Sequence, residues 1–233
     1  MQSCAEDSRL LVIVEPPLSV VNAFLDRVRR FAADLAGSIP DWLPPHYWSA
    51  PLVDLGPDSE EGRVFAQDVI RIAFRECAEF PVQLSPLAVA PGTVAGEVLV
   101  VAHVMSRGEA LAGLAASACT AATAIGLPAR AEALVQVPVA TIRGEEAIRA
   151  ATSLLAVPGE AQPIGWNLGG VCLASAVRDE SGPWKARRLR SLPLKRAAAP
   201  RREGAAPAVA ACGEADAGEP PRQAAIAEET ESS

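Results

Sequence analysis

The chain has 233 residues, half of them apolar, and a net charge of −7; that is enough apolar material to build a core without disulfide staples. No apolar run approaches the ~18 residues of a membrane span, and Glu6 and Asp7 precede the first apolar run, unlike a secretory leader. Five cysteines, Cys4, Cys77, Cys119, Cys172 and Cys212, stand singly with no C-x-x-C pair, which argues against a zinc ligand set and a disulfide framework and for thiols in a reducing cytoplasm.

The charge is unevenly placed. Residues 203–233 hold seven acids and one base, Arg222, a local −6 that leaves about −1 for the rest of the chain. A near-neutral body has no strong field to gather a polyanion. One basic run, Lys185, Arg187, Arg188, Arg190, Lys195, Arg196, Arg201 and Arg202, contains no acid and reads first as a solvated edge strand running into a charged linker, with a nucleic-acid patch as the alternative.

In chain order, residues 10–15 (LLVIVE) are short, β-branched and bounded by prolines, the pattern of a buried strand. Pro17 suits the first turn of a helix, and Val21, Phe24, Leu25, Val28, Phe31, Ala32 and Leu35 recur at three and four up to Gly37. Trp48–Leu55 reads as a strand. Asp58 or Ser59 then caps a helix with Val64, Phe65, Val69, Ile70, Ala73 and Phe74 on one side. Extended segments at 81–89 and 94–104 flank a Pro91-Gly92 turn. Residues 108–125 form an alanine-rich helix, 136–142 a strand and 145–156 a short helix. Residues 168–177 and 184–192 make a terminal hairpin around Asp179–Pro183. Beyond Lys195 almost no large apolar residue remains, so residues 196–233 are expected to be disordered, like residues 1–8. The order βαβαββαβαββ is α+β, with hairpins as well as crossovers.

Residues Trp42–Gly56 (WLPPHYWSAPLVDLG) resemble a signature of the 2H phosphoesterases, the family of bacterial 2'-5' RNA ligases and RNA 2',3'-cyclic phosphodiesterases, W-x-P-P-x-x-x-H-x-T-L-x-x-L-G. Trp42, Pro44, Pro45, Leu52, Leu55 and Gly56 fall in register. Ser49 stands at the histidine position and Pro51 at the threonine position. Val137–Arg143 (VPVATIR) is similar to the second signature, P-H-x-T-L-x-R, with Val139 at the histidine position, Thr141 at the threonine and Arg143 near the arginine. Arg9–Pro17 resembles the opening strand, and Trp166–Leu194 the closing hairpin. The resemblance implies two α/β lobes, over residues 9–195, whose antiparallel sheets face each other across a groove and each contribute one H-x-T strand.

Cyclic phosphodiester hydrolysis needs one group to take a proton from water and another to protonate the leaving oxygen, and imidazole suits both. In the family one histidine fills each role, without metal or cofactor, and the threonine two residues on shares its strand face. Ser49 and Val139 cannot transfer protons at neutral pH. Each lost group typically removes ~10²–10⁴-fold in rate. Only Thr141 keeps the family chemistry.

The chain's two histidines lie elsewhere. His46 precedes the expected site by three residues, and His103 lies in Val100–Val104; neither is followed by x-Thr. There is no P-loop, G-x-S-x-G or G-x-G-x-x-G. Tyr47 and Trp48 are candidates for stacking a base, and Thr141, Arg143, His46 and His103 complete the candidate ligand-binding set. The leading expectation is a cytoplasmic monomer, a 2'-5' RNA ligase-like pseudoenzyme whose groove binds a nucleotide, an RNA end or another small phosphoester, with no metal, cofactor or membrane partner. Two alternatives stay open. One is an active, ATP-independent cyclic phosphodiesterase or ligase that uses His46 or His103. The other is an interaction scaffold working through the basic strand and acidic tail.

Overall fold

A computed structural model describes residues 8–35, 40–92, 94–156, 162–178 and 183–196. The chain's opening strand, β1 (Arg9–Val14), has five of its six residues buried. A strand covered on both faces must be apolar at every position, and LLVIV is. Leu10, Val12 and Val14 point into the main core, while Leu11 and Ile13 join a smaller cluster with Cys172, Ala174 and Ala176.

Helix α1 (Leu18–Asp34) follows Pro17 and buries Val20, Phe24, Val28 and Phe31, spaced at three and four. Gly37 lies outside the described residues; Leu35 caps the helix, its N–H bonded to the Phe31 carbonyl. A two-residue strand β2 (Asp41–Trp42) and a 3₁₀ turn (Pro45–Tyr47) lead to β3 (Ala50–Pro57). Gly56 closes the β3 signature for a steric reason. Its φ is +95°, and a Cβ there would lie 2.6 Å from Pro128 Cγ.

Ser59 caps α2 (Glu60–Phe74), its Oγ accepting the Gly62 N–H. The buried stripe of α2 is Gly62, Ala66, Ile70 and Phe74. Val64 and Phe65, expected on the inner face, are 59% and 49% exposed. The stripe repeats every four residues, opening with the small Gly62 and Ala66 and continuing through Ile70 and Phe74, and α2 packs against α3 (Ala110–Ala124); hydrophobicity alone had added Val64 and Phe65 to that face.

Strands β4 (Phe80–Pro91) and β5 (Glu97–Ser106) form the expected hairpin, with the Gly92 N–H donating to the Glu97 carbonyl at 3.1 Å. After α3 come β6 (Arg130–Ala131), β7 (Gln136–Arg143), α4 (Glu145–Ala156), β8 (Ile164–Leu168), β9 (Gly170–Arg178) and β10 (Trp184–Pro193). The strands make two five-stranded sheets, ordered β10-β9-β1-β3-β6 and β2-β7-β5-β4-β8, with antiparallel pairing between the strands of each.

Strand β8 corrects the expected hairpin. Trp166 belongs to a separate strand paired with β4 in the second sheet, and only Gly169 separates it from β9 in the first. The chain therefore changes sheets within one residue. Glycine fits there: a Cβ at the following Gly170 would lie 3.0 Å from the Leu192 carbonyl oxygen. The tail from residue 197, the N-terminal residues 1–7 and residues 179–182, where a turn was expected, lie outside the described residues.

Candidate ligand groove between the two sheets

Strands β3 and β7, which carry the two signature segments, pack against each other although they belong to different sheets. On β3, Pro51 sits opposite Ile13 of β1, then the register slips so that Val53 pairs with Val12. Paired residues share a face, so Pro51 lies on the side of Leu11 and Ile13. Having no N–H, a proline belongs beside such an irregularity. Ser49 precedes the strand, is 7% exposed and donates its N–H to the Tyr47 carbonyl at 2.8 Å.

On β7 the register also slips. Val101 pairs with Pro138 and Val100 with Ala140, which leaves Val139 as the extra residue of a bulge. Val139 is fully buried, and its carbonyl accepts the Leu43 N–H at 2.8 Å. Thr141 is 3% exposed and stands between Leu99 and Asp41. Arg143 donates to the buried Glu97 carboxylate at 2.9 Å.

A cleft of about 120 Å³ opens where the sheets meet, lined by Pro51 and Trp184 from the first sheet and Leu99, Val101, Gln136 and Pro138 from the second. Glu132, Leu134 and Pro183 complete it. The two signature segments thus present Pro51 and Pro138 to the cleft; Ser49 and Val139 do not line it.

The one titratable side chain among the described lining residues is Glu132. Its N–H is bonded to the Leu52 carbonyl, which fixes it beside β3. Burial, and then the charge of Asp54, push its carboxyl above the usual range, against the opposing pull of Arg130 and Arg178. Asp54 is itself held by Arg9 at 2.7 Å.

The remaining candidates are spread over the molecule. Trp48 is 5% exposed, donates its indole N–H to the Leu43 carbonyl at 2.9 Å and packs edge-on against Phe24. Trp48, a candidate for base stacking, is thus placed in the core. His46 is exposed on the 3₁₀ turn, 4.1 Å from the Tyr47 ring, and does not line the cleft. His103 is half-buried on β5, opposite Gln136 and two residues beyond Val101, which places it on the cleft's face of the sheet. Among the described residues no cluster of three or more His, Cys, Asp or Glu is arranged to hold a metal, and no helix is long and apolar enough to cross a membrane.

Sequence reasoning passed over Glu132, Leu99, Val101 and Gln136. Alternation along β5 carried a usable signal, because Leu99, Val101 and His103 recur at two. Glu132 carried none, since the strand before it is two residues long and exists only through its pairing with β3.

Two antiparallel sheets of this order, with four helices and a cleft where the sheets meet, make an α+β fold that this chain shares with solved structures. Among solved structures, the chain is similar to E. coli LigT in its apo form, at 15% identity and a TM-score of 0.56, covering 82% of this chain and 99% of LigT. It is also similar to TT0787 of Thermus thermophilus, at 18% identity and a TM-score of 0.54, covering 80% and 97%. LigT complexed with 3'-AMP matches at 14% identity and a TM-score of 0.54. No protein-family model and no curated protein matches the sequence.

Proposed function

We propose that this chain is a catalytically silent protein of the 2'-5' RNA ligase-like fold, whose groove binds a ligand without turning it over. The observation that carries the reading is the pair of prolines, Pro51 and Pro138, on the cleft wall. General acid–base attack on a cyclic phosphodiester needs two proton-transferring groups in reach of one phosphate. Proline can neither donate nor accept a proton, and neither prolyl nitrogen offers an N–H to a phosphate oxygen. Glu132 is a single carboxyl, with no second titratable group among the described lining residues. It would also repel the anion it had to serve.

The test is turnover of 2',3'-cyclic nucleotides and of RNA ends carrying a cyclic phosphate. Purified protein should open neither above background. A second reading, an active cyclic phosphodiesterase using a displaced histidine, draws support from His103 on the cleft's face. Turnover that disappears in His103→Ala would establish that reading and remove the first.

A further inference from the structure

The geometry points to a change of ligand class in this groove: its cleft fits a small planar aromatic ring bearing a hydrogen-bond donor, not a phosphoester. The inference rests on the silent-groove reading and names what the groove takes instead. Size comes first. The cleft has about 120 Å³, close to the ~150 Å³ of an apolar protein cavity that accommodates benzene. It is well below the ~300–1,000 Å³ of pockets that bury drug-sized ligands.

Shape follows from the walls. Pro51 and Pro138 bring two rigid apolar rings, Trp184 brings an indole, and Leu99 and Val101 bring aliphatic side chains. A planar occupant makes more contact with such surfaces than a branched one of equal volume. Leu134 stands at the same cleft with 62% of its surface exposed, an apolar side chain in water that a bound ring would cover.

Polarity sets the remaining feature. Among the described lining residues, Glu132 and Gln136 are the long side chains that offer an oxygen acceptor. A hydroxyl or amine on the ring would satisfy them. An anion would meet the Glu132 carboxylate with Asp54 behind it; no guanidinium or ammonium is among the described lining residues, and the nearby Arg130 and Arg178 already act on Glu132, Arg178 also lying over the Trp184 ring.

Phenol is the simplest probe. It is titrated into the full chain while the tryptophan indole and the valine and leucine methyl signals are followed by NMR. Trp184, Leu99 and Val101 should shift together and saturably, and benzene, which lacks the donor, should bind several-fold more weakly. Inorganic phosphate and 3'-AMP should leave these signals in place. Leu134→Gln, at an exposed position that tolerates polarity, should weaken phenol several-fold, and Val101→Phe should abolish the shifts by filling the cleft. If Val101→Phe fails to fold, Leu134→Gln decides. Phosphate or 3'-AMP moving these signals while phenol does not would overturn the assignment, as would phenol binding that neither variant changes. Turnover of a cyclic phosphodiester by the wild type would sink the silent-groove reading itself. A silent protein that ignores phenol would lose only the ligand assignment.

Discussion

Pro51 and Pro138, 87 positions apart in sequence and on strands of different sheets, line one cleft. The two signature segments do converge, as the resemblance implied, but each strand slips register where it arrives. Val139 is thereby the bulged residue, buried completely, and its neighbour Pro138 meets the cleft. Substitution should respect that difference. Pro51→His with Pro138→His places imidazoles at the cleft and should fold with a melting temperature near that of the wild type. Val139→His buries a polar ring in the core and should cost about 1–3 kcal/mol. Thermal unfolding of the two variants side by side measures it, and equal losses would show that Val139 is less enclosed than its burial implies.

Asp58 anchors the start of α2 to the first sheet. Its side chain is 1% exposed, bonded to Arg63 at 2.5 and 2.6 Å and to the Ser175 hydroxyl. The Arg63 hydrogen bonds hold the carboxyl below the usual range, assisted by Ser175 and by the charges of Arg63 and Arg187, and opposed by burial. A depressed carboxylate contributes stability that is complete above its unfolded value, near ~3.9, and is lost as pH falls through its lower folded value. Asp58→Asn should therefore destabilise the protein at pH 7 by about 1–3 kcal/mol. It should also flatten the acid limb of stability below about pH 4. Urea unfolding across that range gives both numbers.

Cys172 sits in the small cluster with Leu11 and Ile13, 7% exposed, with its thiol 3.3 Å from Glu15 Oε2. Burial first, and then the Glu15 carboxylate, push the thiol up to about 11. At pH 8 roughly one molecule in a thousand would carry the reactive thiolate. Iodoacetamide under native conditions should modify Cys77, which is half-buried, well before Cys172, as read by peptide mass spectrometry. Rapid labelling of Cys172 would mean that β10 opens readily.

The faces of α2 predict contrasting substitutions. Ile70 is fully buried and Ile70→Ala should cost about 2–5 kcal/mol. Phe65, half exposed, should tolerate Phe65→Ala within about 0.5 kcal/mol. Denaturant midpoints at constant m-value report both.

Much of this fold was legible because its elements carry strong local patterns. The apolar run of β1, the three-and-four spacing of α1 and the Ser59 cap each specify their own structure. The elements that escaped, β2, β6 and β8, are short and owe their existence to pairing with distant strands, a tertiary effect that no local window contains. The site was legible only as to which segments meet. Which residues of those segments face the cleft depends on two register slips, and a slip changes facing without changing a single local preference.

Strand β1 lies between β3 and β9, with Val12 opposite Val53 on one side and Leu173 on the other. On the ribosome these neighbours arrive far apart. Residue 53 follows soon after β1, whereas residue 173 emerges roughly 160 residues later, a delay on the order of ten seconds or more at ~5–20 residues per second. Throughout that interval one long edge of Leu-Leu-Val-Ile-Val has no partner, the kind of exposed, uncharged strand that seeds association between chains. Nascent or truncated products lacking β9 should accordingly depend on chaperones and collect in the insoluble fraction, while the full chain closes its own edge.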